Sequence, residues 1–147
     1  MQEEINMTLT MNEAIQLILD FYYISQRYWR EFPIEDPLVC HFIKEGYAAL
    51  CEERPQKYIL TKKGGDLLHT YIQKISTDFI EFIKKNQLSC SDTNATLWFS
   101  NSYSLDTETA ENLYDYIAKN LKAYGYEGEK IHQLENGCGY QFKKVDA

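Results

Sequence analysis

The sequence predicts an α+β protein. A helix–hairpin–helix domain occupies residues 1–88, a polar connector follows at 89–94, and a small β-α-β-β unit closes the chain over 95–147. Three observations carry that prediction. Apolar residues recur at helical spacing in three long stretches. Two pairs of strand-like runs flank turn signals at Arg54-Pro55-Gln56 and Asn136-Gly137. Between them, Ser89-Cys90-Ser91-Asp92-Thr93-Asn94 is wholly polar apart from its cysteine.

Composition bounds the class. The 147 residues are 44% hydrophobic and 25% charged, with 7 Gly and 3 Pro, an ordinary globular balance that excludes disordered, collagen-like and low-complexity chains. A chain of this length buries roughly 68–70% of its unfolded surface and needs neither disulfides nor metal to fold. The 12 Tyr suit a half-wet core first and an interface second. The formal net charge of -7 argues against a general nucleic-acid binder, whose affinity comes from clustered Lys and Arg. The acid is shared: residues 1–88 carry 10 basic and 13 acidic side chains, residues 89–147 carry 5 and 9.

The first helix runs from about Thr10 to Arg30. Ile15, Ile18, Leu19 and Tyr22 form an i, i+3, i+4, i+7 stripe, Trp29 extends it, and Phe21, Tyr23 and Ile24 add a second apolar side. Thr10 or Asn12 caps its start. Pro33 and Pro37 then break the chain, and Asp36-Pro37 reads as N-cap and first residue of a short helix that ends at Lys44-Glu45-Gly46. Tyr47–Glu53 and Lys57–Thr61 form a hairpin. A long helix follows Thr61. Its apolar positions 68, 72, 75, 79 and 82 alternate steps of four and three, a heptad-like seam. Leu68, Ile72, Ile75, Phe79 and Phe82 therefore either pack along the first helix or pair with a second copy in a homodimer.

After the connector, Ala95–Tyr103 reads as a strand because of its aromatic and β-branched content. Asp106 caps a helix over 107–124 with the stripe Ala110, Leu113, Tyr114, Ile117, Leu121 and Tyr124. Lys130–Glu135 and Cys138–Val145 form the last hairpin around Asn136-Gly137, whose residues tolerate the positive φ of a type I′ turn.

The string from Leu38 to Leu68 resembles the second half of a winged-helix domain. A helix ends in the step Gly46-Tyr47, a strand rises into a wing, and the chain returns as Tyr58-x-Leu60-Thr61-x-Lys63-Gly64-x-x-Leu67-Leu68. The likeness to bacterial winged-helix regulators spans roughly residues 37–68, and the C-terminal part resembles no family. It implies a winged-helix-like N-terminal domain and a DNA-binding role, while the acidic start, the scattered cysteines and the lack of catalytic motifs point to a cytoplasmic, non-enzymatic chain. The matching helix is Pro37–Glu45 and departs from a reading helix in being mostly apolar. The cations placed for phosphate contact are Arg54, Lys57, Lys62 and Lys63 in or beside the wing, while His41 and Lys44 are the contacts that the would-be reading helix offers. Arg27 and Arg30 of the first helix extend that set.

Other chemistry finds little support. Cys40, Cys51, Cys90 and Cys138 are widely spaced, with no C-x-x-C pair, so they read as small buried thiols and not as metal ligands. His41, His69 and His132 adjoin no recognisable nucleophile motif, and no glycine pattern makes a phosphate loop. No catalytic residue, metal or cofactor is therefore predicted. No stretch is apolar enough to span a membrane, and the acidic start Met1-Gln2-Glu3-Glu4 is unlike a secretory signal. Two readings stay open: a small dimeric regulator that binds DNA, or a winged-helix-like protein-interaction or inhibitor scaffold that does not.

Overall fold

Thr10 starts the first helix. In the computed structural model, which describes residues 9–24, 37–50, 58–134 and 137–145, its hydroxyl accepts from the Glu13 amide at 3.1 Å while the Glu13 carboxylate accepts from the Thr10 amide at 3.0 Å. This reciprocal capping box pairs two amides at a helix end that the helix itself leaves open. Helix α1 (Met11–Ile18) buries Ala14, Ile15, Leu17 and Ile18. It then widens into a π-helical segment, Leu19–Ile24. Phe21, on the expected second apolar side, sits 6.1 Å from the Phe42 ring. Arg27, Trp29, Arg30 and the cap at Asp36 lie outside the described residues, as do Arg54, Lys57 and the wing tip.

Helix α2 (Pro37–Lys44) buries Val39 and Phe42 and leaves His41 and Lys44 exposed. It closes as a Schellman motif. Gly46, at φ +86°, donates to Ile43 O, and Tyr47 donates to Phe42 O, each at 3.0 Å. The Tyr47 ring stacks on Phe42 at 4.9 Å, the apolar contact that accompanies this motif. The hairpin follows as β1 (Ala48–Leu50) and β2 (Tyr58–Leu60), antiparallel with Ala48 opposite Leu60 and Leu50 opposite Tyr58.

Helix α3 (Lys62–Lys85) begins at a second cap. The Thr61 hydroxyl accepts from the Gly64 amide at 3.1 Å and donates to Gly46 O at 2.7 Å, while the Thr61 amide donates to Tyr47 O at 3.0 Å. The start of α3 is thereby tied to the exit of α2. Gly64 makes the closeness feasible: a Cβ there collides with the Tyr47 carbonyl oxygen and comes within 2.7 Å of its carbon. At the neighbouring Gly65 the nearest atom is the Tyr22 hydroxyl, 4.0 Å away.

The chain divides into two compact units inside α3, between Tyr71 and Ile72. The second unit corrects two expectations. Residues 89–94 are not a connector: Ser89–Ser91 is strand β3, and α4 (Asp92–Tyr103) starts immediately after it. Residues 95–103 are therefore helix and not strand. The cause is local as well as tertiary. The Ser91 hydroxyl caps α4 by accepting from the Asn94 amide at 3.1 Å. Ala95, Leu97 and Phe99 would share a face in a strand, whereas Ala95 and Phe99, four residues apart, are buried and Leu97 is 55% exposed. Packing has overridden β-propensity.

Asp106 caps α5 (Thr107–Lys119) by accepting from the Thr109 amide at 2.9 Å, and the Thr109 side chain together with this amide holds its carboxyl below the ordinary value. A 3-10 turn, Leu121–Tyr124, leads to β4 (Tyr126–Leu134), and β5 (Gly137–Lys144) returns. The expected turn residue Asn136 lies outside the described residues, while Gly137 has the positive φ, +101°, of that expectation. The unit is β-α-α-β-β, an antiparallel sheet in the order β3-β5-β4. One face buries Cys90, Tyr126, Tyr140 and Phe142. The other presents Glu127, Glu129, Gln141 and Lys143 to solvent, the one-sided sheet the sequence implies.

Phe79 of α3 is fully buried at the centre of this unit, with the rings of Phe99, Trp98, Phe142, Phe82 and Tyr114 between 5.2 and 6.2 Å away. Leu68, Ile72 and Ile75 are buried too, and Phe82 is half-buried and stacked on Trp98 at 5.1 Å. The seam offered above as a dimer face is thus filled within a single chain.

Two measurements follow from these contacts. Gly64→Ala lowers stability by about 3 kcal/mol, since backbone must move to admit the methyl. Gly65→Ala raises it by about 0.5–1 kcal/mol through helix propensity and a stiffer unfolded chain. Opposite signs for adjacent glycines are expected in urea unfolding. Phe79→Ala costs about 3–5 kcal/mol, read as loss of the second unit's near-ultraviolet aromatic signal at lower denaturant.

Candidate functional site

The α2–α3 junction gathers the charges singled out above. Thr61 and Gly64 hold the first turn of α3 against Gly46-Tyr47, so the lysines at 44, 62 and 63 leave the fold from one place. His41 stands a turn earlier on the exposed side of α2. Both His41 and Lys44 lie in the last turn of that helix, where positive charge complements the dipole. Lys62 is 90% exposed and pairs with Asp66 at 3.0 Å. Lys63 behaves differently. Its ammonium donates to the Glu45 carbonyl oxygen at 3.2 Å and lies 4.6 Å from the Tyr47 ring centroid. Of the six nucleic-acid contacts expected from the sequence, His41 and Lys44 lie on α2 and Lys62 and Lys63 on the first turn of α3, while Arg54 and Lys57 lie outside the described residues. The cations share this junction with the acidic residues Glu45 and Asp66, so the patch is mixed in sign.

A second cluster went unrecognised in the sequence. Asp92, in the first turn of α4, accepts from the Tyr114 hydroxyl at 2.6 Å and from the Lys130 ammonium at 2.8 Å. The Cys90 thiol lies 3.7 Å from the same hydroxyl, and Lys130 sits 4.9 Å from the Tyr140 ring centroid. These partners come from β3, α4, α5, β4 and β5. Asp92 is separated from Tyr114 by 22 positions and from Lys130 by 38, so no spacing rule connects them. The one local signal was Ser91-Asp92 as a helix start, hidden by the linker-like composition of 89–94.

The electrostatics of this cluster are those of a brace. Burial pushes the Tyr114 hydroxyl above its ordinary pKa, and the bond to Asp92 adds to that. Burial also raises the Cys90 thiol, against the smaller opposing effect of the Tyr114 hydrogen bond. A thiol kept protonated is a poor nucleophile. Burial works against the Lys130 charge, but the bond and charge of Asp92 outweigh it and raise its pKa. Tyr103 forms a similar tie, donating to Asp78 at 2.9 Å, while Lys74 pairs with the same carboxylate at 3.1 Å. Of the cysteines, Cys40 and Cys138 are exposed, which corrects the expectation that they are buried; Cys90 is buried. Among the described residues, no group of three or more His, Cys, Asp and Glu side chains is placed to hold a metal, and no helix is long and apolar enough to cross a membrane.

The Tyr114–Asp92 bond has a pH signature. The folded Tyr114 pKa lies above the ordinary 10.0, so its contribution is complete below that pH and is lost as pH rises through the folded value. Tyr114→Phe is expected to cost about 1.5 kcal/mol near neutral pH, the low end for a bond to a charged group because water can replace the hydroxyl. It also makes the fall in stability above pH 10.0 shallower, measured by urea unfolding across that range. Among known proteins, no family model matches the chain, and neither the curated proteins nor the solved structures give a match.

Proposed function

We propose that the chain is a non-enzymatic protein whose N-terminal unit is winged-helix-like and docks on DNA phosphates, as a small transcriptional regulator does. One observation carries the reading: the Thr61–Gly64 contact with Gly46-Tyr47 ties the start of α3, which bears Lys62 and Lys63, to the exit of α2, whose exposed side offers His41 and Lys44. Phosphate contact asks only for such cations on a rigid frame; base reading asks for more. The acidic balance of -7 makes the contact local and salt-sensitive. The non-enzymatic part rests on the sequence, whose histidines adjoin no nucleophile motif and whose glycines make no phosphate loop.

The test is fluorescence anisotropy with a mixed-sequence duplex across a salt series. Binding at low salt is expected, with log affinity falling linearly against log salt. The variant Lys44→Ala/Lys62→Ala reduces that slope by about 2, one per lost phosphate contact. Absence of binding at low salt overturns the reading. The net charge of -7 and the 12 Tyr favour the alternative, a protein-interaction or inhibitor scaffold, and Ile59, 53% exposed on β2, is a position at which to test it. That alternative predicts no DNA affinity at low salt and a reproducible protein partner that Ile59→Asp releases.

A further inference from the structure

We infer that the two adjacent lysines at the start of α3 do different work: Lys63 is a positioning residue that holds the exit of α2, and Lys62 is the phosphate contact. The Lys62 half rests on the DNA-binding reading, whereas the Lys63 half stands on the fold alone.

Lys63 is already engaged on both sides. Its ammonium donates to Glu45 O at 3.2 Å, one of the carbonyls that α2 leaves unpaired where it ends. The same ammonium lies 4.6 Å from the Tyr47 ring centroid, within cation–π range. Tyr47 is buried and stacked on the fully buried Phe42 at 4.9 Å. The Lys63 charge is therefore tied to the closing turn of α2 and, through one ring, to the core of the first unit. Recruiting it to a phosphate means giving up both contacts.

Lys62 has no comparable tie. Its side chain is 90% exposed, and its ion pair is with Asp66, itself 69% exposed and one helical turn on. Exposed pairs at this spacing are weak and screened by salt. A backbone phosphodiester carries one charge, like the carboxylate, but it belongs to a dense line of such charges whose counterions are released on contact, and it competes with Asp66 at low salt. Adjacent positions on a helix point about 100° apart. One lysine therefore folds back over Tyr47 while its neighbour reaches outward.

The experiment pairs thermal unfolding with the salt series on Lys62→Ala, Lys63→Ala and Lys63→Arg. Lys63→Ala is expected to lower Tm by about 2–4 °C and to leave the salt slope unchanged. Lys63→Arg keeps the cation and its donors and restores Tm. Lys62→Ala leaves Tm unchanged and reduces the slope by about 1. If Lys63→Ala reduces the slope as much as Lys62→Ala with no change in Tm, the division of roles is wrong while DNA binding stands. If the parent protein binds no DNA at low salt, the Lys62 half falls together with the DNA reading. The Tm difference between Lys63→Ala and Lys63→Arg still decides the Lys63 half.

Discussion

One close approach in the first unit is what its other features depend on: the backbone of Gly64 lies against the carbonyl of Tyr47 with no space for a side chain between them. A helix start and a helix exit are polar ends, each with unpaired backbone groups. Here they settle one another's needs. Thr61 gives its hydroxyl to Gly46 O and takes the Gly64 amide, its own amide goes to Tyr47 O, and the Lys63 ammonium reaches Glu45 O. The hairpin between them is short, three residues a strand, and depends on this junction to keep its register. A larger residue at position 64 would separate the two ends and scatter the lysines that leave from them.

Helix α3 carries the chain onward into a unit held by different physics. Its half of the core is aromatic, with Phe79 at the centre of rings from α4, α5 and β5. Polar groups of that unit are drawn into ties between elements: Asp92 with Tyr114 and Lys130, and Asp78 with Tyr103. Such ties fix which elements adjoin, and burial raises the Tyr114 and Tyr103 hydroxyls within them above their ordinary pKa. The lysines of each unit differ in the same way: Lys63 and Lys130 are tied to groups on other elements, while Lys62, Lys84, Lys119 and Lys143 make exposed ion pairs.

What could be read from the sequence was local. The caps at Thr10, Thr61 and Asp106, the positive φ at Gly46 and Gly137, and the start of α2 at Pro37 each follow from the chemistry of a few neighbouring residues. The pattern Leu60-Thr61-x-Lys63-Gly64 pointed to the junction before the reason for its glycine was visible. What escaped was non-local or ambiguous in period. Ala95–Tyr103 has strand-like residues at positions that suit either period, and the choice fell to burial of Phe99 against Phe79. Strand β3 is three residues long and exists because β5 pairs with it, Cys90 opposite Tyr140. The Asp92 cluster draws on five elements, so nothing short of the fold assembles it. The seam of α3 was correctly placed, but periodicity alone does not say whether a stripe packs within one chain or between two.

On the proposed reading, charge leaving the α2–α3 junction meets a phosphate backbone while the Asp92 cluster braces the fold. Backbone amide chemical shifts during titration with duplex DNA at low salt separate these two roles. Shifts are expected to concentrate at His41, Lys44 and Lys62, with the amides of Asp92, Tyr114 and Lys130 unmoved. An unchanged spectrum, or shifts centred on the Asp92 cluster, would contradict it.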